Sequence, residues 1–385
     1  MRQTFRYLAL FLFSTLFLFA LSEVAFAEEE SGADHPSGSI PFWQKTKVSG
    51  SADVNYNYNF NRPVTTSSVA PAINGYRVFD ANANTFNVGL VELAIENSPT
   101  DWVTFRTDLD FGHDVAAFHA AGLGTTEFFD LQQAYIALKA DVGNGLTVKV
   151  GKFVTLHGAE VIEAASNNNV SRGLLFNYAI PFTHTGIVAS YPFADWISLD
   201  LGIVNGWNNV VDNNSGKSAH GMLTIKPFDK FTFTLGGTVG PETAGKNSPI
   251  RTLIDAIATY ALNPKWTFTL NYNLGRDGGL GGTNGLADWQ GVAGYVHWKP
   301  MDRFGLTLRG EFYKDDVGTL GVPTGAVASS KLYEGTLTSH LYLTDGLDLR
   351  FEFRHDQGDQ TSFLTGSGSS KKFQDTVASQ LIYSF

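Results

Sequence analysis

The side chains best suited to act on an ion or a ligand are charged residues that recur at every second position. In the stretch LDLRFEFRHD (347–356), Asp348, Arg350, Glu352 and Arg354 alternate with Leu and Phe. Successive side chains of an extended strand point to opposite faces, so this strand has one charged face and one apolar face. Opposed rows of acidic and basic groups filter ions when they line a passage that contains water.

A second group of charged residues lies in the polar segment 154–173, VTLHGAEVIEAASNNNVSRG. Its stretch AEVIEAA contains neither Gly nor Pro and is the most helix-like part of the chain, which places Glu160 and Glu163 on one helical face. His157 beside these carboxylates does not match a strong zinc spacing, so we predict no metal and no other cofactor. The remaining His residues are scattered without an activating motif, so we predict no enzymatic activity.

The elements that must carry these residues are β-strands, because alternation of apolar and polar residues recurs along the chain. It is clearest at 48–60, 103–111, 196–204, 231–239, 266–274 and 304–312. Short turns with Pro, Asp or Gly are predicted at 98–100, 141–144, 192–194, 227–229, 263–264, 300–302 and 345–346. Long polar loops are predicted at 61–84, 112–127, 154–173, 206–217, 240–249, 276–287, 316–330 and 358–371. These connections join about sixteen strands.

This pattern predicts an all-β fold, a transmembrane antiparallel β-barrel with short periplasmic turns and long extracellular loops. Lipid offers no hydrogen bonds to a free strand edge, so a sheet that spans a membrane must close on itself. A soluble β-sandwich would also alternate, but its strands are usually shorter and it does not need this even rhythm of short and long links. Trp residues beside the short turns are typical of a membrane-interface girdle; they are Trp102, Trp196, Trp266 and Trp298.

The first 27 residues have the pattern of a signal peptide, with a basic start, an apolar middle and Ala-Phe-Ala before acidic residues. We expect residues 28–44 to be a flexible lead-in and residues 45–385 to form the barrel. The whole chain has a formal net charge of −10; removal of the signal peptide takes away two basic residues and one acidic residue, which leaves −11. This charge disfavours nucleic acid as a partner. The chain has no Cys, so no disulfide can stabilise the exported protein.

One block of the chain, 148–214, resembles the β-barrel porin-2, OmpL-like family of Gram-negative outer membranes. The matching features are GKF, GAE and EA at the passage from strand to loop, the YP turn, and NGWNNVVDNN entering a loop. The resemblance implies a porin of the outer membrane, and family analogy implies a homotrimer. In the porins that it resembles, the third loop folds inward and narrows the pore. Carried onto this sequence, Glu160 and Glu163 would face a basic wall of Arg106, Arg309, Arg350 and Arg354.

The final strand VASQLIYSF ends at Phe385 and resembles the terminal signal that the barrel-assembly machinery reads in outer-membrane proteins. The expected partners are therefore this machinery, outer-membrane lipid, and the small hydrophilic solutes and ions that would pass through a wet lumen.

Acidic residues outnumber basic ones on the face predicted to line the lumen, which favours a weak preference for cations. The acidic candidates are Asp53, Glu92, Asp108, Asp110, Asp200, Asp255, Glu311, Glu334, Asp348 and Glu352. The basic candidates are Lys47, Arg106, Lys149, Arg309, Arg350 and Arg354. We expect the constriction to be formed by Glu160, Glu163, Arg106, Asp108, Arg309, Glu311, Arg350, Glu352 and Arg354.

Two alternatives stay open at this point. A sugar-specific channel would use the aromatic residues Tyr295, Tyr342 and Trp207 as a stacking surface, and sugar would block its ion current. A non-conducting structural or adhesive barrel would have its lumen plugged by loops and would show no conductance.

Overall fold

The computed structural model describes residues 42–64, 72–124, 128–279, 287–315 and 331–385. Within these residues, sixteen antiparallel strands pair with their neighbours, and the last pairs with the first, so that the sheet closes into a barrel. The barrel strands are β1 (Thr46–Asn59), β2 (Thr85–Thr100), β3 (Val103–Phe111), β4 (Phe129–Ala140), β5 (Leu146–Val154), β6 (Thr183–Ala194), β7 (Ile197–Val204), β8 (Ser218–Phe228), β9 (Phe231–Pro241), β10 (Ile250–Asn263), β11 (Trp266–Asp277), β12 (Ala287–Met301), β13 (Phe304–Asp315), β14 (Lys331–Thr344), β15 (Leu347–Gly358) and β18 (Phe373–Ser384). The predicted fold class is confirmed.

Short links and long links alternate along the chain, so all the short links lie at one end of the barrel, the turn end, and all the long ones at the other, the loop end. The last long loop contains the hairpin β16 (Phe363–Leu364) and β17 (Ser370–Lys371). Two short α-helices, α1 (Val115–Phe118) and α2 (Leu174–Tyr178), and two 3-10 helices, Phe42–Lys45 and Ala164–Ser166, complete the described elements. No helix in the described ranges is long and apolar enough to cross a membrane.

Closure of the barrel rests on the pairing of β1 with β18, where Val54 lies opposite Leu381. The C-terminal residue continues this pairing, because Phe385 and Gly50 exchange two backbone hydrogen bonds of 3.0 and 3.1 Å. A closed sheet has no free edge, so its backbone N–H and C=O groups are satisfied without water.

The two faces of β15 show how the alternating sequence is used. Phe351 and Phe353 point outward and are 48% and 46% exposed, as expected for side chains that face lipid. Arg350, Glu352 and Arg354 point inward, and Arg354 has no exposed surface. The sequence predicts the faces of this strand correctly. The expectation that its charges face water is wrong, because another part of the chain covers them.

Four of the predicted turns are displaced by a few residues. Pro99, Pro192, Pro227 and Pro300 were expected in turns, but each lies near the end of a strand. The strand pairing is irregular at or beside these positions, as in a β-bulge. Proline has no N–H to donate, so a bulge at a strand end tolerates it. Proline therefore marks the approach to the turn rather than the turn itself.

Long loops enter the barrel from the loop end and form an apolar core inside it. The loop residues of this core include Tyr76, Phe79, Val115, Phe118, Ile162, Leu174, Leu175, Phe176, Ile180 and Phe182. They pack against inward-facing wall residues that include Leu90, Leu253, Trp289, Ala293, Tyr313 and Leu332. Part of the interior is therefore filled with protein, which alternation within single strands cannot reveal.

Candidate functional site

The segment between β5 and β6, residues 155–182, folds inside the barrel, and we call it the inner loop. It turns at Gly158, whose φ of +94° lies in the left-handed region that favours glycine. A Cβ atom at this position would lie 2.5 Å from Cδ1 of Ile180 in the same loop. The backbone N–H of Gly158 donates to Oδ2 of Asp255 on β10 at 2.9 Å, which attaches the start of the loop to the wall.

His157 belongs to a buried cluster of three imidazole rings. Its ring lies 4.8 Å from that of His220 on β8, which lies 4.3 Å from that of His184 on β6. Nε2 of His157 is 3.0 Å from Oγ1 of Thr238 on β9. Burial, with a smaller contribution from His184, lowers the pKa of His157 to about 3. His157 is therefore neutral near pH 7 while the inner loop is in place.

Glu160 joins the inner loop to β13 through a buried ion pair. Its Oε1 accepts from Nη1 of Arg309 at 2.6 Å, and its Oε2 accepts from the backbone N–H of Gly173 at 2.6 Å. The Arg309 guanidinium also contacts Glu334 on β14 at 3.2 Å and donates to the carbonyl oxygen of Ser171 at 2.7 Å. Removal of one partner from such a network would leave a buried charge without compensation.

Two further wall carboxylates bind the backbone of the inner loop. Glu352 on β15 accepts from the N–H groups of Val170 and Ser171 at 2.6 and 3.1 Å. Glu311 on β13 accepts from the N–H of Leu174, in the first turn of α2. These N–H groups have no partner within regular structure, so the wall supplies one. The carboxylates of Glu311 and Glu352 therefore hold the loop rather than face solvent.

The remaining basic residues of this wall are also used internally. Arg350 donates to the carbonyl oxygen of Ala164 at 3.0 Å and to Asp348 at 2.7 Å. Arg354 donates to the carbonyl oxygen of Arg172 at 2.7 Å and also contacts Asp356. Both guanidinium groups are buried, which leaves little of either accessible from the lumen.

Glu163 lies on the opposite side of the inner loop. Its Oε1 accepts from Nε2 of Gln132 on β4 at 2.9 Å. Arg106 on the neighbouring strand β3 binds Asp108 at 2.9 Å and lies 3.9 Å from Glu96 on β2. The Arg106 and Glu96 side chains are 31% and 33% exposed, in contrast to the buried Arg309.

The prediction that Glu160 and Glu163 share one helical face is wrong. Residues 155–163 are not helical, and the 3-10 helix begins only at Ala164. The backbone here finds its partners elsewhere: the Asn167 side chain accepts from the N–H of Val161 at 3.0 Å and donates to its carbonyl oxygen at 2.7 Å. Because these bonds replace helical ones, the two glutamates point to opposite walls.

Arg172 is a positioning residue that the sequence analysis missed. Its fully buried guanidinium donates to the carbonyl oxygens of Val161 and Val170, each at 3.1 Å, and also to that of Ile162. It lies 4.9 Å from the ring of Phe79. The one signal in the sequence is that segment 154–173 contains no other Arg and no Lys.

The aromatic residues considered for a sugar path are not brought together. Trp207 and Tyr295 pack against the apolar core. Tyr342 lies close to the turn end, where it stacks on His340 with 5.6 Å between ring centres. They form no continuous stacking surface.

A closed sixteen-stranded barrel with an apolar outer face, a charged inner face and a loop packed inside it is the architecture of outer-membrane porins. The model of the family described as "Putative beta-barrel porin-2, OmpL-like" matches residues 45–385. The chain belongs to this family. A comparison with curated proteins finds no match.

Solved structures show the same fold at low sequence identity. The anion-selective porin from Comamonas acidovorans aligns with a TM-score of 0.60 and 12% identity over 88% of this chain and 99% of that chain. OprB of Pseudomonas putida, in its high-pH structure, aligns with a TM-score of 0.59 and 11% identity over 89% and 94%. The trimer form of Vibrio cholerae OmpT aligns with a TM-score of 0.56 and 10% identity over 88% and 99%. The family and the fold point to an outer-membrane channel.

Proposed function

We propose that the protein is an outer-membrane channel through which small hydrophilic solutes and ions diffuse passively, without a cofactor and without catalysis. The observation that carries this proposal is the unequal exposure of the charged inner wall. On β13–β15 the charged groups are buried against the inner loop, whereas Arg106 and Glu96 near β2 and β3 keep about a third of their surface. A passage beside Glu96, Arg106 and Glu163 accounts for this difference.

The proposed constriction has two kinds of residue. Those that hold the inner loop are Glu160, Arg309, Glu311, Arg350, Glu352 and Arg354. Those that border the passage are Glu163 and Arg106, and the buried Asp108 orients the guanidinium of Arg106. The guanidinium of Arg106 is already paired with Asp108, so the carboxylate of Glu163 contributes the excess charge. This arrangement supports a weak preference for cations.

The test is the reversal potential of the purified protein in planar bilayers under a KCl gradient. We expect weak cation preference in the wild type and a smaller one in Glu163→Gln. The matched control is Asp375→Asn, which removes one charge from β18, where Asp375 pairs with His355. A preference for anions in the wild type, or an equal effect of both substitutions, would contradict the proposal.

A non-conducting barrel is the second candidate, and the apolar core inside the loop end favours it. If the core seals the interior, reconstituted protein shows no conductance at any voltage at which the bilayer is stable. Step-like conductance that scales with salt concentration would exclude this candidate.

The site of action and the assembly state are part of the same proposal. We infer that residues 1–27 direct export, that Phe385 is read by the assembly machinery, and that the barrel resides in the outer membrane as a homotrimer. The trimer form of the Vibrio cholerae protein supports the last point. Crosslinking of intact cells followed by electrophoresis tests it, with a monomer band as the contrary result.

A further inference from the structure

Three acidic side chains lie in one row across the inner face of β2, β3 and β4. The strand register places Glu92 directly opposite Asp110, and Asp110 directly opposite Asp130. Side chains in directly opposed positions have Cβ atoms about 5 Å apart, and like charges there are destabilising. The barrel therefore maintains an unfavourable arrangement of three neighbouring carboxyl groups, which we call the acidic row.

The basic partners of the acidic row are at one end of it. Asp130 contacts Nζ of Lys152 at 2.7 Å and Nδ1 of His119 at 2.8 Å. At the other end, Glu92 accepts only a long hydrogen bond of 3.5 Å from Ser51, among the contacts that the described residues show. Lys152 also acts electrostatically on Asp110, and Arg106 on Glu92, but among the described residues neither cation donates a hydrogen bond to these two carboxylates.

Asp110, in the middle, is the residue that points to a ligand. It is completely buried, and among the residues that the structure describes neither of its carboxylate oxygens has a hydrogen-bond partner. A buried polar atom without a partner is costly, and a buried carboxylate more so. Two agents can neutralise this buried carboxylate, a bound cation or a proton, and the experiments below separate them.

The inner loop adds a fourth carboxylate. Glu163 is held beside β4 by its bond from Gln132 and is within electrostatic range of both Glu92 and Asp110. Glu92 and Glu163 are both partly exposed, so the row can be reached from the lumen.

We propose that the acidic row, together with Glu163, is a binding site for a hard cation, at which permeating cations pause. Carboxylate oxygens without nitrogen or sulfur ligands favour ions such as Ca²⁺. Within the described ranges no group of three or more His, Asp or Glu residues could hold a metal ion by itself. The proposed site therefore needs water for most of its coordination, and we expect it to bind the cation only weakly, as a site on a conduction path must. This inference rests on the proposed channel function, which it deepens.

The first experiment is block of K⁺ current by CaCl₂ in planar bilayers that contain the full-length protein. For the wild type we expect block in about the millimolar range, as for weak extracellular calcium sites. Asp110→Asn should raise the blocking concentration about tenfold, which corresponds to about 1.4 kcal/mol of binding free energy. The control is Asp277→Asn on β11, a change of the same chemistry in a residue paired with Arg251, and it should leave the block unchanged.

The second experiment separates this site from the channel function. Thermal unfolding in detergent is followed with and without CaCl₂, because a ligand that binds only the folded state raises Tm. We expect Ca²⁺ to raise the Tm of the wild type and of Asp277→Asn but not that of Asp110→Asn. Glu92→Gln provides a second test if Asp110→Asn fails to fold.

The outcomes distinguish the two proposals. Stabilisation by Ca²⁺ without any conductance would support the site and refute the channel. Conductance without an effect of Ca²⁺ on current or on Tm would support the channel and refute the site. Equal effects of Ca²⁺ on the wild type and on both acidic-row variants would also refute the site, because Ca²⁺ would then act elsewhere on the protein.

Discussion

Replacement of Arg309 by Met should destabilise the barrel far more than the same replacement at an exposed ion pair. Arg309 is buried and contacts Glu160 at 2.6 Å and Glu334 at 3.2 Å. Methionine preserves much of the apolar stem but leaves these carboxylates without their cation. Loss of one partner of a buried ion pair costs about 3–5 kcal/mol, and we expect a loss of this size in the free energy of unfolding.

The matched control is Arg276→Met, because Arg276 contacts Asp288 at a similar distance, 2.8 Å, while both side chains are well exposed. Exposed pairs contribute little, so its unfolding curve should overlay that of the wild type. The assay is guanidinium-induced unfolding of the refolded barrel in lipid vesicles, monitored by tryptophan fluorescence. If both variants lose the same stability, or neither does, the conclusion that Arg309 anchors the inner loop is wrong.

Three further predictions concern His157 in the inner loop, Phe351 on the lipid face and Phe385 at the C-terminus. Acidification should weaken the attachment of the inner loop, because the pKa of His157 is about 3 when the ring is buried and about 6.5 when it is released. The free energy of unfolding should therefore fall below pH 6.5, by about 2 kcal/mol at pH 5. The difference between unfolding curves at pH 7.5 and pH 5 should be smaller for His157→Gln than for the wild type. Phe351→Lys on the lipid face should cost about 2–4 kcal/mol, whereas Phe351→Leu should cost much less in the same vesicle assay. Deletion of Phe385 removes its backbone hydrogen bonds with Gly50 and should lower the amount of folded barrel in outer-membrane fractions, measured by heat-modifiable electrophoresis. An unchanged amount of folded barrel would show that this terminus plays no part in assembly.

The strands of the barrel wall could be predicted because the alternation of apolar and polar residues is visible within each strand's own sequence. A strand between lipid and an interior of protein and water must alternate, and β15 shows this alternation in its own residues. The turn positions were less accurate, because proline is tolerated at a bulge as well as in a turn. Pro192 illustrates this ambiguity, since it lies within β6 and not in the link that follows.

The inner loop could not be predicted from its own composition. The residues from Gly158 to Asn167 have no local pattern that indicates a wall carboxylate, Asp255, as the partner of a backbone N–H. That partner is almost a hundred positions away in the chain. The AEVIEAA stretch is helical by propensity, which is only a weak prior. Hydrogen bonds with the side chains of Asn167 and Arg172 in the same loop, and with Arg350 on the wall, replace the helical ones.

The acidic row shows a third reason why a site cannot be predicted from the sequence alone. Glu92 and Asp110 could be assigned to the inner face by parity, but parity does not determine which residues lie opposite each other. That depends on the register, and the β3–β4 pairing contains an irregularity between Asp108 and Leu109 that aligns Asp110 with Asp130. A shift of one residue would have turned each side chain to the other face.

The division of the interior into an anchoring side and an open side leads to two separable effects of mutation. The charged side chains of β13–β15 that bind the inner loop are not accessible to ions. Their replacement should therefore lower stability, while the ion preference of any remaining channel changes little. Charges near Glu163 and Asp110 are incompletely balanced, so their removal should alter ion flow, and Asp110→Asn should even raise stability without Ca²⁺, because it relieves like-charge repulsion. An Arg309 variant that keeps wild-type stability but reverses ion preference would show that the passage runs along the other wall.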